Sequence, residues 1–384
     1  MYFSLDDGDH WNPLQMNLPV ASVRDLAIHG DDLVAATHGR SFWILDDIEP
    51  LREWADSLGG REAYLFHPAR AIRIRRSENR DTPLPRETPA GANPPAGAIL
   101  DYFLKSDAAG ELALEIRDKS GNLVRRYSSE DKPPVILEKP EIEKSWLPKF
   151  TPLLKTAGTH RFVWDLRYAP PSAIRHEYSM AAPIASGTTA EPDGPLALPG
   201  EYEIRLIVPG QTITTALTLE QDPRVHIPAE DLAEQFALQQ KIGAALTQAT
   251  DTIRSIAAVR AQLQLLTNRS GAASASKEIL AASERIDGTA GNIAGKETEW
   301  PLSPSGLSAI DGSLASLAIS VGSADAAPTD QAQASFANLQ KDLNARLAEW
   351  DALKQQELAP LNKQLTAAGL PPVAVESSGE PARE

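Results

Sequence analysis

The chain has 384 residues, 42% of them hydrophobic and 23% charged, which is enough material for two or three ordinary domains with their own cores. A formal net charge of −15 and an isoelectric point near 5.0 argue against nucleic acid and anionic membrane surfaces as partners. The absence of cysteine excludes disulfides and thiolate chemistry without fixing a compartment, and no stretch approaches the roughly 18 apolar residues of a membrane span.

The first element is Ser4-Leu5-Asp6-Asp7-Gly8-Asp9-His10-Trp11, an instance of the pattern S-x-D-x-G-x-x-W. A short aspartate can accept hydrogen bonds from the amides of its own turn, glycine supplies a backbone conformation other residues resist, and tryptophan is expected to pack under the hairpin. The pattern is that of the Asp-box, and it resembles the turn between the third and fourth strands of a blade in sialidase-type and sortilin-type β-propellers. Ser4, Asp6, Gly8 and Trp11 are therefore read as structural.

Val23 to Ile28 and Leu33 to Ala36 read as two strands joined by Gly30-Asp31-Asp32, and Ser41 to Leu45 reads as a third. This is the rhythm of four-stranded propeller blades, of which the chain holds the end of one and most of another. Met1 would fall inside a strand, so the chain is expected to be the C-terminal remainder of a longer protein. Ala63 to Phe66 and Ala71 to Arg75 read as further strands. Arg70, Arg73, Arg75, Arg76 and Arg80 read as a solvated strand face, because nothing Gly-rich or at a helix start accompanies them. The Pro-, Thr- and Ala-rich run from Asp81 to Pro95 reads as an extended linker.

From Ala98 to Leu219 the pattern is all-β. Ile99–Leu104, Leu112–Asp118, Leu123–Tyr127, His160–Leu166, Tyr202–Val208 and Thr212–Leu219 alternate in polarity, with Lys119-Ser120-Gly121-Asn122 and Pro209-Gly210-Gln211 as connectors. The spacing suggests a small β-sandwich. Leu114 to Arg126, Gly158 to Asp165 and Pro199 to Ile204 resemble the immunoglobulin-like domain of flagellar hook-capping proteins, which implies a spacer or adhesion module. Two long inserts, Ser128 to Ala157 and Ala169 to Leu198, carry Trp146, Tyr168, His176 and Tyr178, read as anchors of these loops to the domain beneath.

From Pro228 the period becomes helical. Leu232, Phe236, Ile242, Leu246, Ile253, Ile256 and Leu263 form the seam of one long helix ending near Asn268, roughly 55 to 60 Å in length. Phe336, Leu339, Leu343, Leu347, Trp350, Leu353, Leu358, Leu361 and Leu365 form a matching seam, with a kink expected at Pro360. Lys277 to Ile293 and Ser305 to Ile319 read as weaker helices between them, separated by Trp300-Pro301. A helical hairpin or bundle is the economical arrangement, with a coiled-coil oligomer through these faces as the alternative. Pro371 onward reads as a frayed tail.

Tyr2 to Trp11, Ala36 to Asp47, Asn93 to Gly97, Phe162 to Tyr168 and Asp222 to Val225 together resemble the large bacterial sortilin-like propeller proteins, often labelled glycosyl hydrolases because their Asp-box repeats are similar to those of sialidases and xyloglucanases. The resemblance implies an exported, periplasmic or extracellular protein. The expected organisation is the end of a β-propeller at 1–80, a linker at 81–97, an immunoglobulin-like β-sandwich at 98–222, a helical bundle at 228–370 and a disordered tail at 371–384. Its expected class is multidomain, β plus α.

A glycosidase needs two carboxyl groups facing each other at about 5 to 10 Å. Asp46 and Asp47, read as neighbours on one strand, would point to opposite faces. Asp25, Asp31, Asp32 and Glu49 qualify only by being acidic, and His38 beside Gly39-Arg40 reads as a hydrogen-bonded histidine at a blade turn. No Ser-His-acid pattern, zinc spacing or phosphate loop is present, so no catalytic, cofactor-binding or metal site is expected. The function expected is a non-catalytic scaffold, or a binder of protein or glycan at the bacterial surface. The alternative is the tail of a glycoside hydrolase whose cleft lies in other blades.

Overall fold

The computed structural model describes residues 1–54, 60–75, 91, 93–133, 150–174, 176–178, 190–268, 275–296 and 305–375. The chain combines a curled, half-barrel β-sheet with C-terminal helices and so belongs to the mixed β and α class. It divides into two compact units, Met1–Ala169 with Tyr178–Thr189 and Leu196–His226, and Pro170–Glu177 with Ala190–Pro195 and Ile227–Glu384.

The first unit opens with a hairpin of β1 (Tyr2–Phe3) and β2 (Asn12–Pro13), followed by an antiparallel meander of β3 (Val23–His29), β4 (Asp32–Thr37) and β5 (Phe42–Leu45). A single turn of helix, α1 (Glu49–Arg52), carries Pro50 in its first turn, where the missing N–H costs nothing. Then come β6 (Ala63–Leu65), β7 (Ala71–Arg73), β8 (Ala98–Leu104), β9 (Ala113–Asp118), β10 (Leu123–Ser128), β11 (Gly158–Trp164), the two-residue strands β12 (Glu177–Tyr178) and β13 (Ala190–Glu191), β14 (Gly200–Val208) and β15 (Gln211–Gln221).

Two sheets share one core. The larger has the order β10-β9-β14-β15-β7, antiparallel except where β7 lies parallel to β15, and the smaller has the order β11-β8-β6. Alternation decides the register. Tyr202, Ile204 and Leu206 of β14 point inward and face Leu114 and Ile116 of β9 and Leu217 and Leu219 of β15. Full burial of each aliphatic side chain is worth about 1.5–3 kcal/mol. Asp118 closes the β9–β10 turn by accepting from the amides of Ser120 at 2.8 Å and Asn122 at 2.9 Å. Buried Trp164 meets Tyr202 edge-on at 5.4 Å and donates its indole N–H to the Arg167 carbonyl at 3.0 Å. Entry to β8 requires glycine: at Gly97, φ is +147°, and an added Cβ would lie 1.9 Å from the Trp164 carbonyl oxygen.

Two long loops are tied down near their ends. Leu153 is buried in this core, and the Leu154 carbonyl accepts from the Tyr102 hydroxyl at 2.6 Å. Tyr168 packs against the same core, whereas Trp146 and the side chain of Tyr178 lie outside the described residues. So do most of the expected linker, Arg76, Arg80 and Trp300-Pro301.

The second unit contains α2 (Ala229–Asn268), α3 (Lys277–Ala294), α4 (Gly306–Gly322), α5 (Asp330–Leu353) and α6 (Ala359–Ala367). Glu230 and Asp231 occupy the first turn of α2, where they oppose the helix dipole. Ser276 caps α3 by accepting from Ile279 N–H at 3.3 Å, and Thr329 caps α5 by accepting from Ala332 N–H at 3.2 Å. The seam of α2 is buried at Leu232, Ile242, Leu246, Ile256 and Leu263, and it shares one core with Leu314, Leu343, Trp350, Leu361 and Leu365. Gln235, itself buried, donates to the carbonyls of Val321 and Ala324 at the end of α4. The Pro171–Ala173 segment lies along α2, where the Ser172 N–H donates to Thr247 Oγ1 at 3.1 Å and Ala173 is buried.

Two features mark the C-terminal end of the helical unit. Ahead of Pro360, α5 passes into a π-helical turn, Lys354–Leu358, and then into α6. Proline offers no N–H to the preceding turn and crowds its carbonyl, and the wider π turn accommodates both effects while the chain stays helical. The tail expected from residue 371 is held in place through residue 375: Val373 is buried in the helical core.

Candidate functional site

The Asp-box hairpin satisfies its own polar groups. Ser4 Oγ donates to Asp6 Oδ1 at 2.8 Å and accepts from Gly8 N–H at 2.8 Å. Asp6 accepts from the His10 amide at 2.8 Å and contacts His10 Nδ1 at 2.6 Å. The His10 amide, its ring and the Ser4 hydroxyl hold the Asp6 carboxyl below its ordinary value. Gly8 takes φ +100°, and the Trp11 ring lies over it, 3.6 Å from where a Cβ would stand. Trp11 nevertheless remains 62% exposed, so the hairpin does not bury the ring as the sequence led us to expect.

The β3–β4–β5 meander has apolar side chains on both faces. Residues paired across the strands share a face, which groups Leu26, Ile28, Leu33, Ala35, Trp43 and Leu45 on one side and Ala27, Val34, Ala36, Phe42 and Ile44 on the other. Leu26 and Ile28 on the first face are 52% and 65% exposed, and Phe42 and Ile44 on the second are 72% and 57% exposed. Both faces of the meander therefore carry exposed apolar side chains, those on the second interspersed with Asp25, His29 and Asp32.

The acids near the meander are tied into local structure. The Asp25 carboxylate accepts from the Leu26 amide at 2.9 Å, Asp31 pairs with Arg52 at 2.8 Å, and Asp32 accepts from the Asp47 amide at 3.1 Å. Glu49 pairs with Arg52 as well. His38 is an exposed residue of the β4–β5 turn whose amide donates to the Ser22 carbonyl at 2.8 Å. Asp46 and Asp47 do not lie on a strand: β5 ends at Leu45, and Asp47 takes φ +54°. Their carbonyls accept from Arg161 at 2.6 and 3.0 Å, and the same guanidinium grips Asp101 at 3.0 and 2.8 Å. Burial pushes Asp101, Asp46 and Asp47 up from the ordinary carboxylate value, and Arg161 opposes the rise at all three.

Arg73 corrects the reading of a solvated basic face. It is buried, and its Nε donates to the Ala197 carbonyl at 2.9 Å, while Arg70 pairs with Glu220 at the surface. His176 sits between the Pro171 and Pro192 backbone and near Asp193 and Arg254, and burial lowers its pKa. A cluster that no sequence pattern announces surrounds Glu53, whose carboxylate accepts from the Tyr64 hydroxyl at 3.2 Å and meets His67 Nδ1 at 2.8 Å. Trp54 stacks near Phe66 at 6.4 Å, and Arg61 lies 4.9 Å from the Tyr64 ring centre. The cluster orients an imidazole, but among the described residues no hydroxyl nucleophile is bonded to that ring. Nor do the described residues include a group of His, Asp or Glu able to hold a metal ion.

No protein-family model, curated protein or solved structure matches this chain. No helix among the described residues is long and apolar enough to cross a membrane.

Proposed function

We propose that this chain is a non-catalytic scaffold and binding region of an exported, sortilin-like Asp-box propeller protein, and that its N-terminal meander works packed between further blades. The carrying observation is the β3–β5 sheet, which bears exposed apolar side chains on both faces, Leu26 and Ile28 on one and Phe42 and Ile44 on the other. Propeller blades stack face to face, so each inner blade buries two apolar faces, whereas an isolated sheet needs only one. The Asp-box hairpin beside it supports the same reading, because its Ser4 and Asp6 side chains are spent on the turn itself and so position strands. On this reading the β core between residues 98 and 222 is an immunoglobulin-like spacer, and the ligand is a protein or glycan at the bacterial surface.

Hydrogen exchange on the purified chain tests the reading. Residues 23–45 should exchange fast and the chain should self-associate, since an uncovered two-faced sheet is both weakly protected and adhesive. A monodisperse monomer with slow exchange there would count against it. Aryl glycosides, xyloglucan and sialosides should not turn over above background, because the acids near the meander are tied into local structure and not set facing each other across a cleft. Turnover abolished by Asp25→Asn, Asp46→Asn or Asp47→Asn would favour a glycoside hydrolase instead.

A further inference from the structure

The helical unit grips an extended stretch of its own chain with a device suited to peptide recognition. Past α6, Gly369 takes φ +72° and the Leu370 amide bonds back to the Leu365 carbonyl at 2.8 Å, which ends the helix. Pro371 and Pro372 keep the chain extended. The main-chain groups that follow have neither helix nor sheet to pair with, and two side-chain amides from different helices take them. Asn362 of α6 accepts from the Val373 N–H at 2.8 Å and donates to the Val373 carbonyl at 2.9 Å. Gln262 of α2 does the same for Ala374, at 2.9 Å in both directions. All four main-chain groups of two consecutive residues are thereby satisfied, and the Val373 side chain fills an apolar pocket in the helical core.

Main-chain pairing of this kind is indifferent to sequence, while a side-chain pocket reads one residue; extended peptides are commonly bound by that division of labour. Beyond the clamp, Val375 lines a groove of about 640 Å³ together with Thr247, Asp251 and Ser255 of α2 and Trp350 and Lys354 across from them. The groove therefore continues the clamp, with room and hydroxyl and carboxylate partners for further residues.

We infer that the Asn362–Gln262 clamp and its groove form a peptide-binding site, occupied in cis by Leu370–Val375. Its external ligand is an extended peptide carrying a branched aliphatic residue preceded by proline. The cis segment is tethered at an effective concentration on the order of millimolar, so a free peptide gains access only when the tethered copy is weakened. The inference concerns the helical unit alone and stands or falls separately from the propeller reading.

The test uses the full-length chain and a fluorescein-labelled synthetic peptide with the sequence of residues 370–375. Anisotropy should show at least tenfold tighter uptake by the Val373→Asp chain, whose own segment no longer fits the pocket, than by the unaltered chain. Adding Asn362→Ala and Gln262→Ala should weaken that uptake at least tenfold, and a peptide with aspartate in the valine position should not bind. Circular dichroism checks that each variant keeps its helices. Should Val373→Asp lose them, a chain that keeps Val373 and is cut once at a protease site engineered after Gly369 supplies a displaceable segment for the same measurement. A helical chain of either kind that takes up no peptide, or uptake indifferent to Asn362 and Gln262, overturns the inference. Wild-type dimers dissolved by the free peptide would do so as well, since the occupant would then be a second copy's segment.

Discussion

Arg161 is the residue on which the attachment of the meander to the β core turns. Its guanidinium bonds the carbonyls of Asp46 and Asp47 just past β5 and the carboxylate of Asp101 on β8. Asp101 is only 5% exposed, so its charge depends on that partner. Arg161→Leu should cost about 3 kcal/mol in urea denaturation, because an uncompensated buried carboxylate remains. Adding Asp101→Asn should return part of the loss. A cost below about 1 kcal/mol, the scale of a surface pair, would show that water reaches Asp101 freely. Asp222 offers a test with pH as the variable. Arg224, through its guanidinium and its backbone amide, lowers the Asp222 carboxyl from 3.8 to about 2. A depressed folded-state value means that the native state holds its proton less tightly than the unfolded chain. The stability it contributes is therefore complete above the ordinary carboxylate value and is lost as pH falls through about 2. Asp222→Asn should lower the melting temperature at pH 7, with the difference largely gone by pH 2. A difference that persists undiminished at pH 2 would assign the effect to packing.

At the scale of the element, strands and helices were legible where a single physical rule governs them. Alternation located β3, β4, β9 and β14, and the 3.6-residue period located α2 to within a few residues and the apolar seam that runs through α5 and α6. Burial was not legible from the same patterns. Leu26, Ile28, Phe42 and Ile44 lie in segments that read as strands, and the pattern does not by itself give their exposure, because a period reports that a face is apolar and not that anything covers it. Arg73 errs in the opposite sense: in an alternating basic stretch it reads as solvated, yet it is buried and bonded to the distant Ala197 carbonyl, supplied by a segment more than a hundred residues later. The π turn before Pro360 escaped notice for a related reason. Proline announces that the normal helical bond is lost, but its neighbours decide whether the helix breaks or widens.

Across the whole molecule, the candidate site was less legible than the fold. The Asp-box could be read because all its partners lie within eight residues, from Ser4 to Trp11. The amide clamp could not, since Gln262 and Asn362 are ordinary surface-type residues until Val373 and Ala374 are laid against them. The two compact units each close a core of their own. The β core is built from residues such as Leu114, Trp164, Ile204 and Leu217, and the helical core from Ile242, Leu246, Leu343 and Trp350. Cooperativity follows shared buried contacts, so each core should melt as its own unit. Leu114→Ala and Leu343→Ala both remove fully buried side chains, and each should cost about 3 kcal/mol locally. Hydrogen exchange in rising urea separates the outcomes, because it reads β9 and β14 apart from α2 and α5. Leu114→Ala should advance the opening of the strands alone, and Leu343→Ala that of the helices alone. If either substitution advanced both sets of amides equally, the chain would unfold as one cooperative body, and its two cores would have to be treated as a single thermodynamic unit.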